Sequence, residues 1–298
     1  MDNRFKYLFI YFFIAVFVLS QAVAEPSLTQ VGVIDYFEGN PEQYSLHRDG
    51  TPVPIGLYTM VFAGDIIVAH DDSIAMRLIV DGKPVTLTRQ NSPLVLTQTA
   101  NVPTVLGNLY TWAGEFFTPL YDKTRKDQLV GAVGRGGNPN RISSELLVFE
   151  PLVLMPGTRG IYLAWEGGKP PYRVAIASGT RMIVETQVPA LSTVRIKSLS
   201  LSSGEYSITI TDKNNLNYST SLTVQSADIA APASIEKGRL PEEVKATLLA
   251  GWLAGQKEGY WRFEAYQRVA PYADGYSNAR LLKYALENGI PVPYFAAK

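Results

Sequence analysis

Imidazole is the side chain whose charge changes near neutral pH, so a search for chemistry starts with His47 and His70, the two histidines of the chain. Neither has a second histidine at the His-x-x-x-His spacing that sets two rings on one helical face for a metal. His70-Asp71-Asp72 puts two carboxylates beside an imidazole, a set able to take a cation. Asp also favours turns, and a charged β-turn is the plainer reading. No serine stands in a Gly-x-Ser-x-Gly elbow. Cysteine is absent, which excludes thiolate catalysis, Cys-ligated zinc and iron–sulfur clusters. Gly131-x-x-Gly134-x-Gly136 has the outline of a phosphate loop. Such a loop needs a helix N-terminus behind it, and Asn138-Pro139-Asn140 follows instead, so the stretch reads as linker. Paired carboxylates for glycoside hydrolysis depend on separation in space, which spacing along the chain does not give. The residues therefore name no catalytic group, no metal site and no cofactor.

Aromatic side chains are plentiful, with 17 Tyr, 12 Phe and 4 Trp. Core packing is the default reading of each. The exception is a stripe at helical spacing formed by Leu109, Trp112, Phe116 and Leu120, with Val105 in line and Leu106, Ala113 and Phe117 beside it. These four are the candidate interaction surface: a face that docks one module onto another or onto a partner. Pro103 suits the start of that helix and Pro119 its stop.

The N-terminus sets the compartment. Arg4 and Lys6 precede an uncharged run from Leu8 to Leu19, and Ala22 and Ala24 follow. That is the pattern of a secretory signal peptide over 1–24 with an Ala-x-Ala cleavage site. The run is too short for the ~20 residues of a membrane span. No second long apolar segment follows, so the mature chain is expected to be soluble, with no membrane span. With 27 basic and 27 acidic residues the chain has no electrostatic footprint for nucleic acid. An exported chain without cysteine folds on its core alone, which reads as a periplasmic or secreted bacterial protein.

The elements that must position these residues are mostly β. Over 25–100, Val31–Phe37 reads as a strand. Asp49-Gly50 and Asp81-Gly82 read as two-residue hairpin turns, the second between Ala75–Val80 and Val85–Thr88. A helix and Gly-rich linker follow over 101–144. Seven short strands are expected over 145–226: Leu146–Phe149, Ile161–Trp165, Tyr172–Ala177, Met182–Gln187, Thr193–Leu199, Tyr206–Thr211 and Tyr218–Val224. That number in about eighty residues predicts an Ig-like β-sandwich. An Ala/Pro linker occupies 227–240. A C-terminal helical segment over 241–298 divides into helices from Pro241, from Trp261 to Ala270, and from Ser277 (as N-cap) to Asn288.

Leu46-x-Arg48-x-Gly50, Pro54-Ile55-Gly56, Gly64-Asp65-Ile66, Ser73–Leu78, Asp81-Gly82 and Val85-Thr86-Leu87, in that order, resemble the FecR domain. The resemblance covers about a quarter of the chain and implies a periplasmic β-module used in signalling or scaffolding. It departs at His70, where the family commonly has Thr, and from the FecR regulators in lacking their cytoplasmic segment and single span. Gly204-Glu205-Tyr206 through Asp212 resembles a strand of bacterial Ig-like and fibronectin-like modules, in which Tyr206 would close a tyrosine-corner-type contact. The reading that follows is a non-enzymatic binding, scaffold or signalling protein whose partner is an envelope protein or a cell-wall glycan. A cell-wall glycan or peptidoglycan adaptor is the first alternative and a carboxylate-based hydrolase the second. The export reading predicts a mature N-terminus at Glu25. Intact-mass analysis of the periplasmic fraction checks it; a full-length chain held in the inner membrane would contradict it.

Overall fold

The Asp-Gly pairs do what their backbone freedom allows. Strand β1 covers Gln30–Phe37, β2 Tyr44–Arg48, β3 Thr51–Val53, β4 Met60–Phe62, β5 Ile66–Ala69, β6 Ala75–Val80, β7 Lys83–Thr88 and β8 Leu94–Val95. Asp49 and Gly50 have φ of 48° and 78°, and Asp81 and Gly82 have 51° and 74°. Two successive positive φ values make the tight turn that matches strand twist, which pairs Arg48 with Thr51 and Val80 with Lys83. The strands form two four-stranded sheets, ordered β4-β1-β6-β7 and β3-β2-β5-β8. Met76, Leu78 and Leu87 face inward from one, and Leu46 and Ile67 from the other. The computed structural model describes residues 28–97, 104–129, 138–148, 150, 152–226 and 229–296. The signal peptide expected over 1–24, the helix start expected at Pro103 and the glycine-rich 131–137 lie outside the described residues.

Helix α1 runs from Thr104 to Leu129, straight through Pro119. The expected stop at Pro119 is therefore corrected. A proline inside a helix costs about 3 kcal/mol. Phe116, Phe117 and Leu120 are all buried around it, each worth roughly 1.5–3 kcal/mol, so packing outweighs the break.

The second β unit is a sandwich. Strands β9 (Ile142–Ser143), β10 (Leu152–Leu154), β11 (Gly157–Ala164), β12 (Glu166–Gly167), β13 (Tyr172–Ser178), β14 (Arg181–Val188), β15 (Thr193–Leu201), β16 (Gly204–Thr211) and β17 (Asn217–Val224) build it. A five-stranded sheet ordered β10-β17-β16-β13-β14 accompanies the β11-β15 pair, with β10 parallel to β17. Ile161, Leu163, Val174, Ile176, Ile208, Ile210 and Leu222 alternate into its core. The Tyr206 hydroxyl donates to the Ser202 carbonyl at 2.9 Å, the corner contact that its motif implied. Asp212 ends the same motif. Burial would raise its carboxyl, but the backbone amides of Leu216, Lys169 and Asn214 donate to it and hold it below the usual range. The first strand lies elsewhere than expected. Residues 145–147 form a turn, with the Leu147 amide on the Ser144 carbonyl, and β10 takes the strand position because all three of its side chains are buried.

The chain closes with α2 (Ala233–Lys237), α3 (Glu242–Ala254), α4 (Arg262–Val269) and α5 (Ser277–Glu287). Tyr276, not Ser277, is the N-cap of α5, and Gly289 at φ 69° ends it with the Ile290 amide on the Ala285 carbonyl. Among the described residues no helix is long and apolar enough to cross a membrane. The tail from Ile290 to Ala296 folds back without regular structure. A Cβ on Gly255 would sit 2.4 Å from the Pro293 carbonyl, so only glycine lets the tail approach there. Trp112 of α1 donates its indole N–H to that same carbonyl at 3.1 Å, and its ring meets Phe295 at 5.8 Å. Trp112→Ala should therefore lower stability by about 3–5 kcal/mol in urea denaturation. A loss below about 1 kcal/mol would mean that the α1 face is not core.

Candidate functional site

Strand β1 is an apolar run with one carboxylate inside it. The pairing with β6 slips by one residue between Ile34, opposite Leu78, and Tyr36, opposite Arg77. Asp35 is the extra residue, and such a bulge re-aims a side chain. Asp35 is fully buried. Arg77 Nε donates to its Oδ2 at 2.6 Å, and Arg77 Nη2 lies 2.5 Å from the same oxygen. Tyr276, the N-cap of α5, donates to Oδ1 at 2.5 Å. Asn278 Nδ2 donates to the Asp35 carbonyl at 2.7 Å and to the Tyr276 hydroxyl at 3.1 Å. Tyr58 approaches the same hydroxyl at 3.3 Å. Tyr276 spends its one proton on Asp35, so Tyr58 is the donor in that last bond.

Burial raises the Asp35 carboxyl against the pull of Arg77 and Tyr276. Burial also drives the phenols of Tyr276 and Tyr58 far up, so both stay protonated and remain donors. Arg77 reaches on to Glu243 of α3 at 3.2 Å and stacks over Tyr276 at 4.8 Å. The first β unit is thus fastened to α3 and α5 through one buried carboxylate.

A second set fastens α4 to the sandwich. Glu264 is fully buried and accepts from Arg159 Nη1 at 2.9 and 3.0 Å, from Arg268 Nε at 2.7 Å and from the Met155 amide at 3.0 Å. Gln267 accepts from the Tyr162 amide at 2.7 Å and donates to its carbonyl at 2.9 Å. Its side-chain amide thereby pairs with β11 as a neighbouring strand would. Within the helices, Arg262 is buried and donates to the carbonyls of Ala285, Leu286 and Ile290 at the end of α5. Burial lowers its pKa to about 10, with Glu145 opposing. Its charge complements the negative end of α5.

Two residues of the ordered Leu46–Leu87 pattern also meet. Arg48 donates Nε and Nη2 to the two carboxylate oxygens of buried Asp65, each at 2.9 Å, and Asp65 also accepts the Phe62 amide. The guanidinium lies over the Phe62 ring at 4.1 Å. The pattern is thus held together by one bidentate pair.

Leu109, Trp112, Phe116 and Leu120 are all buried inside the chain. Trp112 stacks on Phe116, and Phe116 meets Phe117 edge-on at 5.0 Å. The face is interior packing, with Trp112 against Gly251 of α3 and Phe295 of the tail, not a surface open to another molecule. His47 lies on β2 opposite Pro52, and exposed His70 contacts Ser45 at 3.1 Å. Asp71 accepts the backbone amide and hydroxyl of Ser73, a turn that lowers its carboxyl. Among the described residues no three His, Asp or Glu side chains converge on a metal position. Ser234-x-x-Lys237 on α2 corrects the expectation that no serine stands in a Ser-x-x-Lys pair, and its two side chains are outside the described residues.

Asp35→Ala leaves Arg77 and Tyr276 without their shared acceptor. Breaking a buried pair costs about 3–5 kcal/mol, and Tyr276→Phe, which loses one charge-assisted bond, about 1.5–3 kcal/mol. Urea denaturation measures both; changes under about 0.5 kcal/mol in either variant would show that the contact does not hold α5.

No family model and no curated protein matches the chain. Among solved structures, CopC from Methylosinus trichosporium OB3b is similar over 27% of this chain and 88% of its own, at 16% identity and a TM-score of 0.21.

Proposed function

We propose that the chain is an exported, non-enzymatic binding or scaffold protein built on a FecR-like module, with an envelope protein or a cell-wall glycan as partner. The observation that carries the reading is where the chemistry-bearing side chains go. Asp35, Asp65, Glu264 and Arg262 are each buried and engaged by the chain itself. Asp35 and Glu264 fasten the two β units to the helical segment, Asp65 pairs within the first unit, and Arg262 bonds within the helices. Fixed spacing between two β surfaces is the property a scaffold needs, and the resemblance of the first unit to FecR modules points the same way. Incubation with purified murein sacculi, alongside cross-linking in envelope fractions, tests it. Retention on sacculi or a cross-linked envelope protein, with no soluble fragment released, is expected. Release of saccharide fragments would contradict the non-enzymatic reading.

A further inference from the structure

A cleft of about 300 Å³ opens where β1, α1 and α5 meet. Tyr36, Tyr121, Tyr284, Arg125 and Arg280 line it, and among the described residues no acidic side chain does. Tyr121 is held in place: its hydroxyl donates to the Gly39 carbonyl at 3.1 Å, and its ring meets Phe37 edge-on at 5.2 Å. Glu38 and Asp122 act on Tyr121 electrostatically but stand outside the lining. Arg280 is also anchored, donating Nε to the Ala273 carbonyl and Nη2 to the Asp274 carbonyl, bonds that do not use Nη1. Arg125 Nε is buried without a hydrogen-bond partner.

We propose that this cleft binds a carboxylate-bearing saccharide. The size falls at the low end of small-ligand sites, ~300–1,000 Å³, enough for a sugar unit rather than a folded segment. Tyrosine rings offer a flat apolar face to the C–H side of a pyranose and a hydroxyl at the rim. A planar guanidinium matches a carboxylate with two parallel hydrogen bonds, which a lysine would not. Ser277 adds a hydroxyl from the first turn of α5. The site exists only where the first β unit, α1 and α5 are assembled, and the inference goes beyond the scaffold reading without depending on it.

Titration calorimetry of the full chain with trigalacturonic acid and with its methyl ester tests the assignment. The acid is expected to bind, and the ester to bind about tenfold or more weakly, because it loses the charge-assisted pair. Arg125→Gln should weaken the acid to a similar degree. Ser277→Asp places a carboxylate in the cleft at a position where an acid favours the helix start, so it should abolish binding while the fold persists. This second variant keeps the test decisive should Arg125→Gln fail to fold. Equal affinity for acid and ester, unchanged affinity in either variant, or no binding at millimolar trigalacturonate would overturn the proposal. Inorganic phosphate binding as tightly as the trimer would also overturn it, by marking a plain anion site.

Discussion

A carboxylate sealed from water has to be met by donors, and that requirement at Asp35 shapes the molecule. An unpaired buried ion costs several kcal/mol. Arg77, from the neighbouring strand, answers one carboxylate oxygen; Tyr276, far along the chain, answers the other. The first β unit therefore cannot reach a satisfied interior until α5 is seated against it. Hydrophobic burial alone would tolerate many placements of a helix on a sheet. The Tyr276 and Asn278 bonds select one.

Glu264 and Gln267 repeat the device on the sandwich side, through Arg159 and the backbone of Tyr162. The β11–β15 register is also irregular there, between Arg159 and Ile161, as β1 is at Asp35. Both fastenings thus sit beside breaks in regular strand pairing, where a side chain can leave the alternation of its strand. The helices from α3 to α5, themselves joined by Arg262 across the end of α5, hold the two β units. The cleft between β1, α1 and α5 is a product of that seating.

Much of the frame was legible in the sequence. Asp49-Gly50 and Asp81-Gly82 announce their hairpins because few other pairs accept two positive φ values. The strands of the sandwich after residue 157 and the three main C-terminal helices follow from hydrophobic period. What local pattern does not carry is pairing at a distance. Asp35 reads as one polar residue in an apolar strand, and nothing near it names Tyr276 or Asn278, more than 200 positions on. Arg48 and Asp65 belong to the same motif, yet their bidentate contact depends on a register that spacing does not give. Pro119 misleads because the local rule for helix ends ignores the apolar surface waiting on both sides. Leu146 and Leu147 mislead in the opposite way: buried leucines in a turn have a strand's composition. Gly251, which weakens α3 by propensity, makes room for Trp112, and Gly255, the C-cap of α3, makes room for the Pro293 carbonyl.

The central claim is that the helical segment makes the two β units one cooperative body. Scanning calorimetry of the full chain, beside Asp35→Ala, measures this most directly. The account predicts a single transition in the parent, with calorimetric and van't Hoff enthalpies in agreement. It predicts that Asp35→Ala separates the unfolding of the first β unit from that of the sandwich. Two resolved transitions in the parent, of which Asp35→Ala moves only one and leaves the other at its original temperature, would contradict it.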